Sequence, residues 1–143
     1  MTVSRILGAK GREVFTIEPG ATLGAAARLL AEKRIGAVLI LGADHRIIGI
    51  LSERDIVRAI AASGAAALDA VVSSAMTRDV VTCREAETVS SIMDRMTAGK
   101  FRHMPVVEQD RAIGMISIGD VVKYRVHEME HDAARMREYI LSA

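Results

Sequence analysis

The sequence is poor in several residue types on which specialised protein classes depend. Its 143 residues include one cysteine and no tryptophan, with only two phenylalanines and two tyrosines. A single cysteine, Cys83, excludes an intramolecular disulfide and a zinc site built from cysteines. We expect Cys83 to be a buried, inert thiol within a strand. The few aromatic residues offer no stacking platform for single-stranded nucleic acid.

The chain also lacks a strong charge of either sign and a long hydrophobic run. Lysine and arginine total 19 and aspartate and glutamate 18, which leaves a net charge of +1. No global field therefore attracts nucleic acid or an anionic membrane. The apolar runs are too short to span a bilayer, and the N-terminal residues have no signal-peptide core. With half of its residues apolar, the sequence predicts a globular cytoplasmic protein with no membrane partner.

One nine-residue pattern occurs twice, as GILSERDIV at 49–57 and GMISIGDVV at 114–122. In each copy an apolar run ends at a serine, and an aspartate follows three residues later in the first turn of a helix. The simpler interpretation is a helix cap, in which serine and aspartate satisfy free backbone N–H groups. The functional interpretation is a nucleotide site, because a helix N-terminus binds phosphate and an acidic side chain binds a ribose diol. The spacing alone leaves both open.

The pattern closes a larger repeat of strand, helix, strand, strand, helix. The first copy has strands at 14–17, 37–41 and 47–51, a helix capped by Thr22, and a second helix from Glu53. Thr16 recurs as Thr82 after 66 residues (82 − 16), and Asp55 recurs as Asp120 after 65 (120 − 55). The sequence therefore predicts an α/β (α+β) fold in which two β-α-β-β-α repeats pack about a pseudo-twofold axis. We expect the two apolar sheets to bury against each other.

These boundaries divide the chain into five segments. They are an N-terminal arm or short helix at 1–13, the first repeat at 14–64, a packed connector at 65–79, the second repeat at 80–126, and a C-terminal helix extension at 127–143. The connector is expected to contribute Leu68, Val71 and Val72 to a core.

The last helix carries an apolar stripe in steps of four and three residues: Val122, Val126, Met129, Ala133, Met136 and Ile140. This heptad spacing more often belongs to a helix that covers its own core than to one that pairs with another chain, and the length of the helix beyond the second repeat favours pairing.

Two such repeats, each ending in S-x-x-D, with Arg102-His103-Met104-Pro105-Val106 in the second, resemble a pair of cystathionine β-synthase (CBS) domains forming a Bateman module. The resemblance covers Val14 to about Arg125. It implies a stand-alone regulatory module that binds adenine nucleotides, such as AMP, ATP or NAD(H), and signals to a partner protein. It also implies a homodimer, no catalytic residue, no metal and no catalytic cofactor.

The resemblance further implies which residues bind the nucleotide. Asp55 and Asp120 would take the ribose hydroxyls, with Ser52 and Ser117 near phosphate. The first strands, Thr16-Ile17 and Thr82-Cys83, would line the adenine through backbone groups. The openings of the second strands would lie over the nucleotide: Ile35, Gly36 and Ala37 in one copy, Arg102, His103 and Met104 in the other. The remaining expected contacts are Glu53, Arg54, Lys100, Phe101, Pro105, Ile118 and Gly119.

The two copies differ where a phosphate would bind. Arg102 and His103 of the second copy stand in place of Gly36 and Ala37, so they can hold a phosphate from the strand side. A nucleotide in the first copy must use Arg54 or a group across the interface. Pro105, in place of Leu39, marks an edge strand or strand opening because it has no N–H to donate. The sequence therefore predicts two unequal clefts.

Two other function classes compete with a nucleotide-binding regulatory module. An enzyme is not favoured, because the sequence has no P-loop, no G-x-S-x-G, no H-E-x-x-H and no paired carboxylates with a base. His103 has no second ligand at metal spacing. A nucleic-acid-binding or purely structural interaction module remains the alternative, and steep salt dependence of binding would indicate nucleic acid.

Overall fold

The computed structural model describes residues 1–142, and the last residue of the predicted 127–143 extension lies outside them. These residues form five α-helices and five strands. Their bounds are α1 Val3–Lys10, β1 Thr16–Ile17, α2 Leu23–Lys33, β2 Ala37–Leu41, β3 Ile47–Ser52, α3 Glu53–Ser63, α4 Val89–Gly99, β4 His103–Glu108, β5 Arg111–Ser117 and α5 Ile118–Ser142. Two short 3-10 turns, Gly64–Asp69 and Val72–Ser74, connect the halves. None of the helices in residues 1–142 combines the length and apolar character of a membrane span.

The first repeat has the predicted order of elements. β1 pairs in parallel with β2, and β2 pairs antiparallel with β3. The Thr22 hydroxyl accepts a hydrogen bond from the Ala25 N–H (3.1 Å), so α2 begins at the predicted cap. α2 ends at Arg34 in the left-handed conformation (φ 54°), which turns the chain toward β2.

In the second repeat the first strand is reduced to one parallel bridge, between Cys83 and Val106. The first strand expected in the second repeat, with Cys83 in it, is therefore reduced to this bridge, and Pro105 gives the reason. In the first repeat the Leu39 N–H donates to the Phe15 carbonyl (3.0 Å). Pro105 occupies the place of Leu39 and has no N–H, so the Val81 carbonyl receives no equivalent bond.

Each repeat encloses its own core. In the first, β2 and β3 pack against α2 and α3, and Val72 and Met76 of the connector complete the cluster. Leu68 also packs there, whereas Val71 is exposed, contrary to expectation. β2 is buried on both faces, because Leu39 is fully buried between Val38 and Ile40.

α1 belongs to the core of the second repeat, although it begins the chain. Val3, Ile6 and Leu7 are buried among residues of α4, β4, β5 and α5. The Val3 N–H donates to the Glu87 carbonyl (2.9 Å). A Cβ on Gly114 would come 2.7 Å from Leu7, so this glycine allows the helix to approach β5 closely. The connector occupies the same position on the first repeat, where Met76 lies against Gly49.

Candidate functional site

Both S-x-x-D patterns form helix caps. The Asp55 carboxylate accepts hydrogen bonds from the Ser52 N–H (2.9 Å) and the Ser52 hydroxyl (3.1 Å), while the Asp55 N–H donates to the Ser52 hydroxyl oxygen (3.3 Å). In the second copy the Ser117 N–H donates to Asp120 (2.9 Å), and the Asp120 N–H donates to Ser117 (3.2 Å). The capping interpretation is therefore confirmed for both serines. It does not exclude a ligand, because each carboxylate has a second oxygen.

The surroundings of Asp55 form a cleft, here called the Asp55 cleft, of about 420 Å³. From the first repeat come the end of β3 and the start of α3. The other side of the cleft is formed by the chain around residues 77–81, where the connector meets the second repeat, and by the loop between α4 and β4. The lining residues are Ile50, Ser52, Glu53, Arg54, Asp55, Arg58, Thr77, Asp79, Val80, Val81, Gly99, Lys100, Phe101, Arg102 and His103.

The Asp55 cleft is thus built across the two repeats. Arg54 lies near the Lys100 carbonyl, with 3.5 Å between its guanidinium nitrogen and that oxygen. Lys100 ends α4 in the left-handed conformation (φ 56°), so the chain turns sharply and brings Phe101 and Arg102 over the cleft. Arg54, expected to serve a different cleft from Arg102 and His103, lines the same one. Both alternatives stated above, Arg54 and groups across the interface, therefore line this one cleft.

The Asp55 cleft is lined by both acidic and basic side chains. Asp55 is 9% exposed, and its second oxygen, Oδ1, has only long contacts, to the Thr77 hydroxyl (3.4 Å) and Arg58 (3.9 Å). This oxygen can therefore accept a hydrogen bond from a ligand hydroxyl. Besides the acidic Glu53 and Asp79, four basic residues line the cleft: Arg54, Arg58, Lys100 and Arg102. They suit an anionic group on the same ligand.

The Asp120 site differs because a lysine occupies it. Lys10, the last residue of α1, donates to Asp120 Oδ2 (2.6 Å) and to the Met115 carbonyl (3.0 Å). Burial by itself would raise the pKa of Asp120, but the Lys10 and Ser117 hydrogen bonds outweigh it and hold that pKa below its usual value. Lys10 and the Ser117 N–H thus share one oxygen of Asp120, Oδ2, and the lysine places a cation beside this carboxylate.

His103 lies between the Asp55 cleft and the Asp120 site. A Cβ on Gly36 would come 2.8 Å from its ring, so the openings of β2 and β4 meet here. Burial lowers the pKa of His103, and Lys10 and Arg102 add to the effect against the opposing charges of Glu53 and Asp120. Because its pKa is lowered, His103 is mostly uncharged at neutral pH. The charged groups around it come from α1 and from both repeats.

The structure brings eight of the expected binding residues into the Asp55 cleft: Ser52, Glu53, Arg54, Asp55, Lys100, Phe101, Arg102 and His103. Ile35 and Gly36 line a separate shallow groove between α2 and α3. Cys83, Met104, Pro105 and Ala37 are buried. Cys83 and Met104 belong to the second core, and burial raises the pKa of the Cys83 thiol to about 12. Ser117, Ile118, Gly119 and Asp120 lie at the start of α5, with Asp120 paired to Lys10.

The first-strand residues, which were expected to line the adenine, do not line the Asp55 cleft. Thr16 and Ile17 form β1, and Ile17 packs on the first core. The Thr82 carbonyl accepts a hydrogen bond from Arg95 (2.7 Å). Val80 and Val81 line the Asp55 cleft instead of Thr82 and Cys83. The missed Arg58 stands one turn after Asp55 on α3, a spacing that could have identified it.

Comparison with known proteins gives a consistent result. The family model described as "CBS domain" matches residues 9–62 and 72–127. A CBS-domain protein of Agrobacterium tumefaciens has a similar crystal structure, with 48% identity, a TM-score of 0.84, and coverage of 87% of this chain and 92% of that one. The mitochondrial CBS domain-containing protein CBSX3 of Arabidopsis thaliana is 30% identical over 147 residues, which are 97% of this chain and 71% of the relative.

A third similar protein was solved with a ligand. It is a CBS domain protein from Pyrobaculum aerophilum complexed with AMP, with 27% identity, a TM-score of 0.74, and coverage of 84% of this chain and 89% of that one. Among residues 1–142 of the present chain, no group of three or more His, Cys, Asp and Glu side chains is placed to hold a metal ion.

Proposed function

This chain belongs to the CBS-domain family, and we propose that it is a regulatory module that binds an adenine nucleotide of the AMP, ATP or NAD(H) class in the Asp55 cleft. The observation that carries the proposal is that Asp55 Oδ1, which has only long contacts, lies in a cleft lined by four basic residues from both repeats. Asp55 accepts the ribose hydroxyls, and the α3 N-terminus with Arg54, Lys100 and Arg102 holds phosphate.

The adenine is recognised by backbone groups of the segment that Pro105 leaves without a strand partner. Val81 lines the Asp55 cleft, and its carbonyl has no N–H from residue 105 to accept. A carbonyl at a binding surface accepts a hydrogen bond from an amino group such as that of adenine. Occupancy of a cleft built from both repeats then alters their contact, which is the signal to a partner protein. No catalytic step is part of this proposal.

The test is calorimetric titration with AMP, ATP and NADH, comparing the native chain with Asp55→Asn. A hydrogen bond to a charged group contributes about 1.5–3 kcal/mol, so the variant should bind at least about tenfold more weakly. Asp44→Asn, in the exposed turn between β2 and β3, is the matched control and should bind normally. Equal affinity of Asp55→Asn and the native chain for all three nucleotides would contradict the assignment.

The same titration with inosine monophosphate examines the base. Its ring carries a carbonyl where adenine has an amino group, so the Val81 carbonyl would meet an acceptor and not a donor. We expect weaker binding than for AMP. Salt distinguishes the nucleic-acid alternative, because binding along many phosphates weakens steeply with ionic strength.

A further inference from the structure

The C-terminal helix extends far beyond the body of the protein. α5 has 25 residues, which corresponds to about 38 Å. Its first turns are anchored, because Val121 is fully buried and Tyr124 packs on the second core. From Met129 to Ser142 every residue is exposed. Isolated helices of this length are marginally stable in water, so a partner must stabilise the extension.

The exposed apolar stripe of α5 does not cover the protein's own core. Val126 is 46% exposed, Met129 57%, Met136 59% and Ile140 65%. The buried Val121 and the packed Tyr124 lie on a different face of the helix. Of the two interpretations that the heptad spacing leaves open, pairing with another chain is therefore favoured.

The stripe has the composition of a two-stranded coiled-coil seam. Val126, Ala133 and Ile140 occupy the heptad a positions, and Val122, Met129 and Met136 occupy the d positions. Two of the a residues, Val126 and Ile140, are β-branched, and the d residues Met129 and Met136 are unbranched at Cβ, which is closest to the pattern that favours two strands. The partner that these residues fit is therefore a single helix with the same spacing, and a second copy of α5 has that spacing.

The charges beside the seam select the direction of pairing. Arg125 and Asp132 are at g positions, and Glu130 and Arg137 are at e positions. In a parallel, in-register pair each g residue faces the e residue of the next heptad. Arg125 then faces Glu130 of the second copy, and Asp132 faces Arg137 of the second copy. Both pairs have opposite charges.

An antiparallel pair with the same stripe overlap brings e against e and g against g. Glu130 would face Glu130 of the second copy, and Asp132 would face Asp132 of the second copy. Both of these pairs repel. Charge complementarity therefore distinguishes the two directions.

We propose that α5 pairs with α5 of a second copy as a parallel, in-register two-stranded coiled coil. The proposal rests on the homodimer that the family resemblance implies and adds its surface and direction. It places the two chains side by side about an axis along α5.

The first experiment reverses charge at one pair and measures the dimer dissociation constant by sedimentation equilibrium. Asp132→Arg turns two attractive pairs per dimer into repulsive ones and should weaken the dimer about tenfold. Asp132→Arg with Arg137→Asp restores opposite charges and should recover the native dissociation constant. Glu138→Arg, at an f position away from the seam, is the matched control and should have no effect. A double variant no better than Asp132→Arg overturns the parallel pairing.

The second experiment uses cysteine oxidation. Ile140→Cys places two thiols at facing a positions within disulfide reach in a parallel pair, whereas an antiparallel pair places residue 140 near residue 122. Arg135→Cys, on the outer face, is the control. The native chain is a clean blank, because its one thiol is buried with a pKa of about 12. The proposal is supported if Ile140→Cys forms a covalent dimer and Arg135→Cys does not.

Two results overturn it: a monomer at tens of micromolar, or a dimer whose Ile140→Cys variant does not cross-link. AMP titration of Asp132→Arg separates this proposal from the proposed function, because α5 beyond Asp120 contributes nothing to the Asp55 cleft. Unchanged AMP binding in a monomeric variant would leave the nucleotide site in place.

Discussion

At the scale of single residues, Lys10 makes the two copies unequal. It pairs with Asp120 at 2.6 Å, whereas the corresponding Asp55 has only long contacts at its second oxygen. A ligand at Asp120 therefore meets a carboxylate that already has a cation and a charge-assisted hydrogen bond on Oδ2. The predicted difference between the clefts thus has a source that the sequence comparison did not include, since Lys10 lies before the first repeat.

Substitution of Lys10 should open the second site. Lys10→Ala removes the cation from Asp120 and leaves the Ser117 N–H on Oδ2, so we expect the number of AMP molecules bound per chain to rise from one toward two in calorimetric titration. Arg5→Ala, on the exposed side of the same helix, serves as the control. If the stoichiometry stays at one in Lys10→Ala, the lysine is not what closes the site.

His103 should make stability depend on pH. Its pKa is lowered in the folded chain by burial, against Glu53 and Asp120 and together with Lys10 and Arg102. The unfolded chain therefore binds more protons just below pH 6.5, and stability must fall as the pH drops from about 6.5 toward the lowered pKa. His103→Gln should flatten this part of the profile in urea denaturation. His131→Gln, exposed on α5, should keep the native profile, and an identical profile in both variants would contradict this role.

At the scale of elements, α1 is an essential part of the second core. Leu7 is 1% exposed and lies against Gly114, so Leu7→Ala leaves a cavity between α1 and β5. Such truncations cost about 2–5 kcal/mol of unfolding free energy. The exposed Leu141→Ala is the control, because its side chain is 85% exposed. Equal stability of the two variants in urea denaturation would show that α1 is a dispensable arm.

Elements whose signals are local could be predicted from the sequence. Thr22, Ser52 and Ser117 cap helices as expected. β2 begins and ends at the predicted residues, 37 and 41, and α1 lies within the segment expected to form an arm or short helix, because turn residues and apolar periodicity fix both elements. The reduction of the second repeat's first strand to a single bridge required a comparison between Pro105 and the hydrogen bond of Leu39, which involves residues far apart in sequence.

At the scale of the whole molecule, the site could be predicted only in part. The residue types and eight members of the Asp55 cleft followed from the sequence pattern and the family resemblance. The partition between clefts did not, because Arg54 meets Lys100 only after the two repeats have packed together. Nothing near either residue in sequence encodes that contact.

The position of α1 also affects how the protein folds while it is being made. The Val3 N–H donates to the Glu87 carbonyl, so α1 finds this partner only after 84 more residues (87 − 3) have been synthesised. At about 5–20 residues per second, this takes roughly 4–17 seconds. During that time Ile6 and Leu7 are exposed on the nascent chain, while the first repeat can already close over its own connector. The second repeat therefore completes its core only when α1, made before the first repeat, docks against it.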